Sequence, residues 1–125
     1  QRGATLRAAL ERHAEIPLQG ADVYVNVAGG VRLQETAADL GVALALASAV
    51  RGITPAHRMV AIGELGLAGE IRAVSKLETR VYEAERLGFE RCLVPAAHSD
   101  RVDARIPLDP VRRIDEALVQ AGLSA

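Results

Sequence analysis

Aromatic residues are nearly missing from this chain: Tyr24, Tyr82 and Phe89 are the only three in 125 residues, and tryptophan is absent. The core must therefore be built from Leu, Val, Ile and Ala, and no aromatic platform for stacking bases is in prospect. Lysine is as scarce, with Lys76 alone beside fourteen arginines. One cysteine, Cys92, excludes an internal disulfide, and too few histidines accompany it for a zinc site; a reducing compartment fits. No apolar run approaches the ~20 residues that cross a bilayer, and no signal peptide is recognisable, so a cytoplasmic protein without membrane contact is expected. No G-x-x-x-x-G-K-[ST] loop is present to cradle ATP phosphates. With a net charge of −1, no global field draws the chain onto nucleic acid, and any DNA affinity must come from local clustering.

What is present suits one globular domain spanning 1–125, with a helix and connection over 1–20 and a core over 21–125. Half the residues are hydrophobic, and this length can bury a real core. Leu6, Leu10 and His13 recur at helical spacing within Ala4–Glu15, a helix that Pro17 and Gly20 end. Val23, Val25 and Val27 alternate as a strand does, and Gly29-Gly30 permits a bulge before Val31–Leu33. Thr36 and Asp39 form T-x-x-D, an N-cap signature for the helix Ala38–Val50, which is apolar nearly all round and so is expected to be central. Met59–Ile62 reads as a buried strand, followed by a turn through Gly63, Gly66 and Gly69 and a second strand at about Glu70–Val74. Ser75 and Glu78 form a capping box for a helix striped by Leu77, Val81, Ala84 and Leu87 and stopped by Gly88. Phe89–Val94 is a strand with Cys92 inside and Pro95 at its end. The segment Ala96–Pro110 is mostly irregular with a strand near Arg105–Leu108, and Val111, Ile114, Leu118 and Ala121 stripe the last helix. This mixed order implies an α+β fold.

Constellations for chemistry are sparse. His13, His57 and His98 lack the close pairing of metal-binding helices, and no metal site is expected. The third-residue spacing of Gly63, Gly66 and Gly69 matches no nucleotide-binding fingerprint. Ser48, Ser75 and Ser99 have no recognisable base nearby. From Arg91 to Arg113, five arginines (91, 101, 105, 112, 113) face three aspartates (100, 103, 109), a net +2 on a segment rich in irregular backbone where phosphate contacts are easily placed. The alternative is that these arginines pair with neighbouring acids.

Four ordered blocks carry a more specific signal. D-V-Y-V-N-V-A-G-G-V-R-L at 22–33 with E-T-A-A-D-L at 35–40, I-G-E-L-G-L-A-G-E-I-R at 62–72, E-A-x-x-L-G-F at 83–89 and L-V-P-A-A at 93–97 resemble the C-terminal domain of the RadA/Sms DNA-repair family. Gly29, Gly30, Glu35, Asp39, Gly63, Glu64, Gly69 and Glu70 stand in the blocks as family-motif residues.

The resemblance implies a Lon-protease-like two-layer sandwich, related to the second domain of ribosomal protein S5, joined to an ATPase domain outside this chain. The longer protein it implies is a hexameric, ATP-driven branch-migration motor working with the recombination machinery. ATP, magnesium and zinc would belong to its other domains, and this domain would need no cofactor. In a Lon protease a serine opens the central helix and a lysine activates it. The resemblance places Ala37 at the serine and Glu78 at the lysine, a degenerate dyad with no catalytic residue. A shifted alignment would instead offer Thr36 or Lys76. The expected function is a non-proteolytic module that supports ring assembly and binds DNA without sequence preference. Arg2, Arg101, Arg105 and Arg113 are the candidate phosphate contacts. A purely structural module without DNA contact, or a residual peptidase, are the alternatives.

Overall fold

The computed structural model describes residues 8, 9, 12, 36–55 and 58–124. Expectations at Arg2, His13, the strand at 23–27, Gly29, Gly30, Glu35 and His57 lie outside these residues. Within the first expected helix, Ala8, Ala9 and Arg12 are helical and Ala9 is fully buried.

A 3-10 turn, Thr36–Ala38, leads into helix α1, Asp39–Arg51. Strand β1 is Met59–Ala61, and β2, Glu64–Leu65, forms an antiparallel hairpin with β3, Ile71–Arg72. Helix α2 is Leu77–Arg86, β4 is Arg91–Pro95, a second 3-10 turn is Ser99–Arg101, β5 is Leu108–Val111 and helix α3 is Ile114–Gln120. The main sheet runs β1-β4-β5, all parallel, with Val60 beside Cys92 and Val94 beside Pro110.

The mixed α and β composition expected from sequence is present. Side chains alternate across a strand, so each face of the sheet needs its own cover. Leu93 and Val111 face a core shared with Leu40, Ala43 and Leu44 of α1 and Ile114 and Leu118 of α3. Cys92 and Val94 face a second core with Leu77 and Val81 of α2. Helices therefore pack on both faces of the described sheet.

Several local expectations are corrected. Neither proposed side-chain cap forms. The N-cap of α1 is Ala38, without a side-chain hydrogen bond, because a tertiary backbone partner does that work: Leu40 N–H donates to Gly63 O (3.0 Å), and Gly63 N–H to Ala37 O (3.0 Å). Asp39 is turned inward, 2 % exposed, to accept from Leu65 N–H (3.0 Å). Helix α2 is entered through Lys76 in the left-handed conformation (φ 56°), so the reciprocal Ser75–Glu78 geometry is lost; Ser75 O instead accepts from Arg80 Nε (2.9 Å). In α1, Ala45 and Ala49 are exposed, so its burial is less complete than an all-apolar sequence suggests, although six of its residues are buried. Leu87 is exposed rather than part of the α2 stripe, while Leu77, Val81 and Ala84 are buried as expected.

The strand expected at 70–74 is the second arm of a hairpin whose first arm, β2, the sequence reading assigned to the glycine turn. The strand expected near 105–108 begins only at Leu108 and runs through Pro110. Glu85 explains the shift, its carboxylate accepting the N–H groups of Arg105 and Ile106 and holding that segment as a turn. Proline lacks a ladder donor, and β5 has no described strand on its far side to need one. The expected stop at Gly88 is present, with φ +86° and Phe89 N–H donating to Ala84 O (3.1 Å).

Candidate functional site

The 3-10 turn, β1 and α2 border an open cavity of about 440 Å³. Ala37, Val60 and Ile62 line it from the turn and sheet; Lys76, Arg80 and Leu87 line it from the α2 side. Sequence creates this space simply. Ala37 is buried and contributes only one methyl group to the wall. On α2, Thr79, Arg80, Glu83, Ala84 and Leu87 recur at three- and four-residue intervals and so share one side of the helix.

Of the two positions expected to hold a degenerate dyad, Ala37 is on the cavity wall. Glu78 is exposed on α2 and is not among the lining residues; Lys76 and Arg80, on either side of it, are. The wall thus holds two cations and the Thr79 hydroxyl. Its one carboxylate among the described residues, Glu83, is occupied by Arg86 Nη2 (3.0 Å). That bond and the charge of Glu83 raise the Arg86 pKa above its ordinary value. Among the described residues no histidine or aspartate lines the cavity, and its one amine is that of Lys76. Among the described residues no group of His, Cys, Asp and Glu could hold a metal ion.

The arginine-rich segment divides into committed and uncommitted cations. Arg91 is bound by Asp109, with Nε at 2.9 Å and Nη2 at 2.6 Å from its carboxylate oxygens, which raises the Arg91 pKa. Here the pairing alternative is realised. Arg113 donates through Nη2 to Ala68 O (2.8 Å) and lies 3.6 Å from Asp115, yet its side chain is half exposed. Arg101, on the second 3-10 turn, and Arg105, on the turn held by Glu85, are exposed and make no ion pair among the described residues. Of the four nucleic-acid candidates, Arg101 and Arg105 therefore keep their charge available, Arg113 shares it, and Arg2 lies outside the described residues.

The remaining motif residues serve the hairpin. Glu70 accepts from Ala68 N–H (3.1 Å) and from Arg72 Nε and Nη2 (3.1 and 2.8 Å), and Arg72 also reaches Glu64 (3.8 Å). Hydrogen bonding from the Glu70 backbone first, and from Arg72 second, holds the Glu70 pKa below its ordinary value of 4.5. Gly69 O accepts from Ile114 N–H (2.9 Å), and Arg112 O from Ile71 N–H (2.7 Å), so the hairpin is tied to the start of α3. Sequence reading missed Arg80, Leu87 and Phe89 as cavity residues. The α2 spacing was the available signal, but nothing in the sequence said that this side of α2 faces Ala37.

Comparison with known proteins gives this geometry a context. Residues 3–98 match the model of the family described as subunit ChlI of Mg-chelatase. Three relatives are each named DNA repair protein RadA. That of Halalkalibacterium halodurans is 51% identical over 90 residues, covering 72% of this chain and 20% of the relative. That of Bacillus subtilis is 46% identical over 99 residues, covering 79% and 22%. That of Escherichia coli is 41% identical over 116 residues, covering 92% and 25%. The chain thus spans about a fifth to a quarter of the length of these relatives.

Proposed function

Because this chain belongs to the family described as subunit ChlI of Mg-chelatase and is homologous to part of the DNA repair proteins named RadA, we propose that it serves such a repair protein as a non-proteolytic, Lon-protease-like C-terminal domain. Its role is to touch the phosphate backbone of DNA and to help subunits assemble into a ring, in the proposed parent a hexamer. The parent is an ATP-driven branch-migration motor of recombination in the bacterial cytoplasm. ATP, magnesium and zinc belong to its other domains, and this domain takes no cofactor. The homology carries the repair role. The absence of a nucleophile on Ala37 supports the non-proteolytic reading, with Ala37 and Glu78 as the lost dyad.

Arg101 and Arg105 support the DNA contact. They stand on irregular backbone with their charges available, and Arg113 stands beside the hairpin as a third, partly committed contact. Phosphate contacts of this kind release counterions, so affinity falls with salt at a log–log slope of about −0.9 per neutralised phosphate. Changing Arg101 and Arg105 together to Ala should weaken duplex binding equally on all sequences and reduce that slope by about 2. Both side chains are exposed, so the melting temperature should hardly change. Unaltered binding at low salt would remove this patch from the reading. No binding by the unmodified chain, even when assembled, would favour the purely structural module.

A further inference from the structure

From Val102 to Leu108, leading into β5, the chain alternates in burial as a strand does. Val102, Ala104, Ile106 and Leu108 are half-buried against the core of Leu77 and Val81, while Asp103, Arg105 and Pro107 are exposed. The apolar members hold the segment down and leave the Arg105 side chain on its outward side. Backbone tethers are few here. Val102 N–H donates to Ser99 O (3.2 Å), and Pro107 O accepts from Cys92 N–H (3.1 Å). Between these two points one side chain supplies the hydrogen bonds found among the described residues. Glu85 of α2 accepts the successive N–H groups of Arg105 and Ile106 on a single oxygen, Oε2, the second at 3.1 Å.

A carboxylate beside a phosphate-binding arginine should, by its charge, weaken attraction to DNA. Its geometry works the other way. The bound oxygen of Glu85 is directed at the backbone, and Arg105 makes no ion pair among the described residues, so the guanidinium is left to solvent. A guanidinium on loose backbone would have to be ordered on binding, which lowers affinity by about two- to tenfold per side chain.

We propose that Glu85 is a positioning residue for DNA contact. By binding the N–H groups of Arg105 and Ile106, it fixes the backbone from which Arg105 reaches a phosphate. This rests on the DNA-contact reading above and extends it from the contacting arginine to the helix that presents it.

Glu85→Gln and Glu85→Ala separate acceptor from charge, since both remove the charge and only Gln keeps an oxygen on the same stem. Fluorescence anisotropy of the 125-residue chain with a mixed-sequence duplex, over a salt series, reads the difference. Glu85→Ala should bind about two- to tenfold more weakly than Glu85→Gln. Glu85→Gln should bind at least as tightly as the unaltered chain, because a negative charge is gone and the turn is kept. The salt slope of Glu85→Ala should shrink toward that of Arg105→Ala, by up to about 0.9 for one lost phosphate contact. In an Arg105→Ala background the Gln and Ala variants should bind alike. Equal affinities with Arg105 present, or tighter binding by Glu85→Ala, overturn the positioning role and leave the DNA reading standing. A deficit of Ala against Gln that persists without Arg105 also overturns it, because the fold rather than the arginine is then what suffers. No binding by the unaltered chain at any salt overturns both.

Discussion

At the scale of single residues, Cys92 shows how a burial legible in sequence acquires electrical content from the fold. Its place in the apolar run ending at Pro95 identified it as a small core hydrophobe, and it is fully buried. The parallel register that sets it beside Leu108 was not legible, nor was the approach of Asp109 and Glu85. Burial first, and those carboxylates second, push the thiol pKa from 9.0 up to about 12. The native state therefore keeps its proton where the unfolded chain has lost it. Stability from this group is intact below pH 9.0 and declines as pH rises from there toward 12, where the native thiol also ionises. Urea titrations across this range should show an alkaline decline whose one-proton component disappears in Cys92→Ala. Iodoacetamide at neutral pH should leave the folded chain unlabelled and label it in urea, since the thiolate is the nucleophile. Rapid labelling of the native chain would contradict this burial.

At the scale of elements, α1 was the most legible piece: its existence and apolar character were readable, and its limits differ from expectation by one residue at each end. Its cap was not readable, because Thr36-x-x-Asp39 is a local signature while the actual partner, Gly63, comes from a turn twenty-odd residues later. The same holds for Ser75 and Glu78, displaced by the left-handed entry at Lys76. Local chemistry proposes a cap, and tertiary backbone pairing overrides it. Burial along α1 makes a graded prediction. Leu44 is 6% exposed and packs in the main core, whereas Leu46 is only partly buried against it. Leu44→Ala should cost about 2–5 kcal/mol, and Leu46→Ala clearly less, because a cavity forms only where neighbours enclose the deleted atoms. Chemical denaturation of both variants checks the order, and equal losses would mean that Leu46 is as enclosed as Leu44.

At the scale of the whole molecule, the sequence located Ala37 but not the site around it. Cavities are made by elements distant in the chain, here the turn at 36–38, β1 and α2, and no periodicity records which helix side meets which strand. Charge was half legible for the same reason: Arg91 and Arg113 find Asp109 and Asp115, while Arg101 and Arg105 do not pair among the described residues. The arrangement bears directly on hydrolysis. Peptide cleavage of this type needs a nucleophile and a base within hydrogen-bond reach of it, about 2.6–3.2 Å. Among the described residues the cavity offers the methyl group of Ala37, the cations Lys76 and Arg80, and the Thr79 hydroxyl, and the one carboxylate there is held by Arg86. Arginine stays protonated at every working pH and cannot accept a proton, and Lys76 shares the wall with Ala37, which has no hydroxyl for an amine to activate. Glu78, exposed and outside the lining, is in no position to serve Ala37. Incubation of the chain with unfolded casein, with and without DNA, should therefore give no fragments above background. Lys76→Ala should change nothing in that assay. Cleavage that disappears in Thr79→Val, Thr36→Val or Lys76→Ala would instead identify a working nucleophile and base in this cavity, and the chain would be a peptidase.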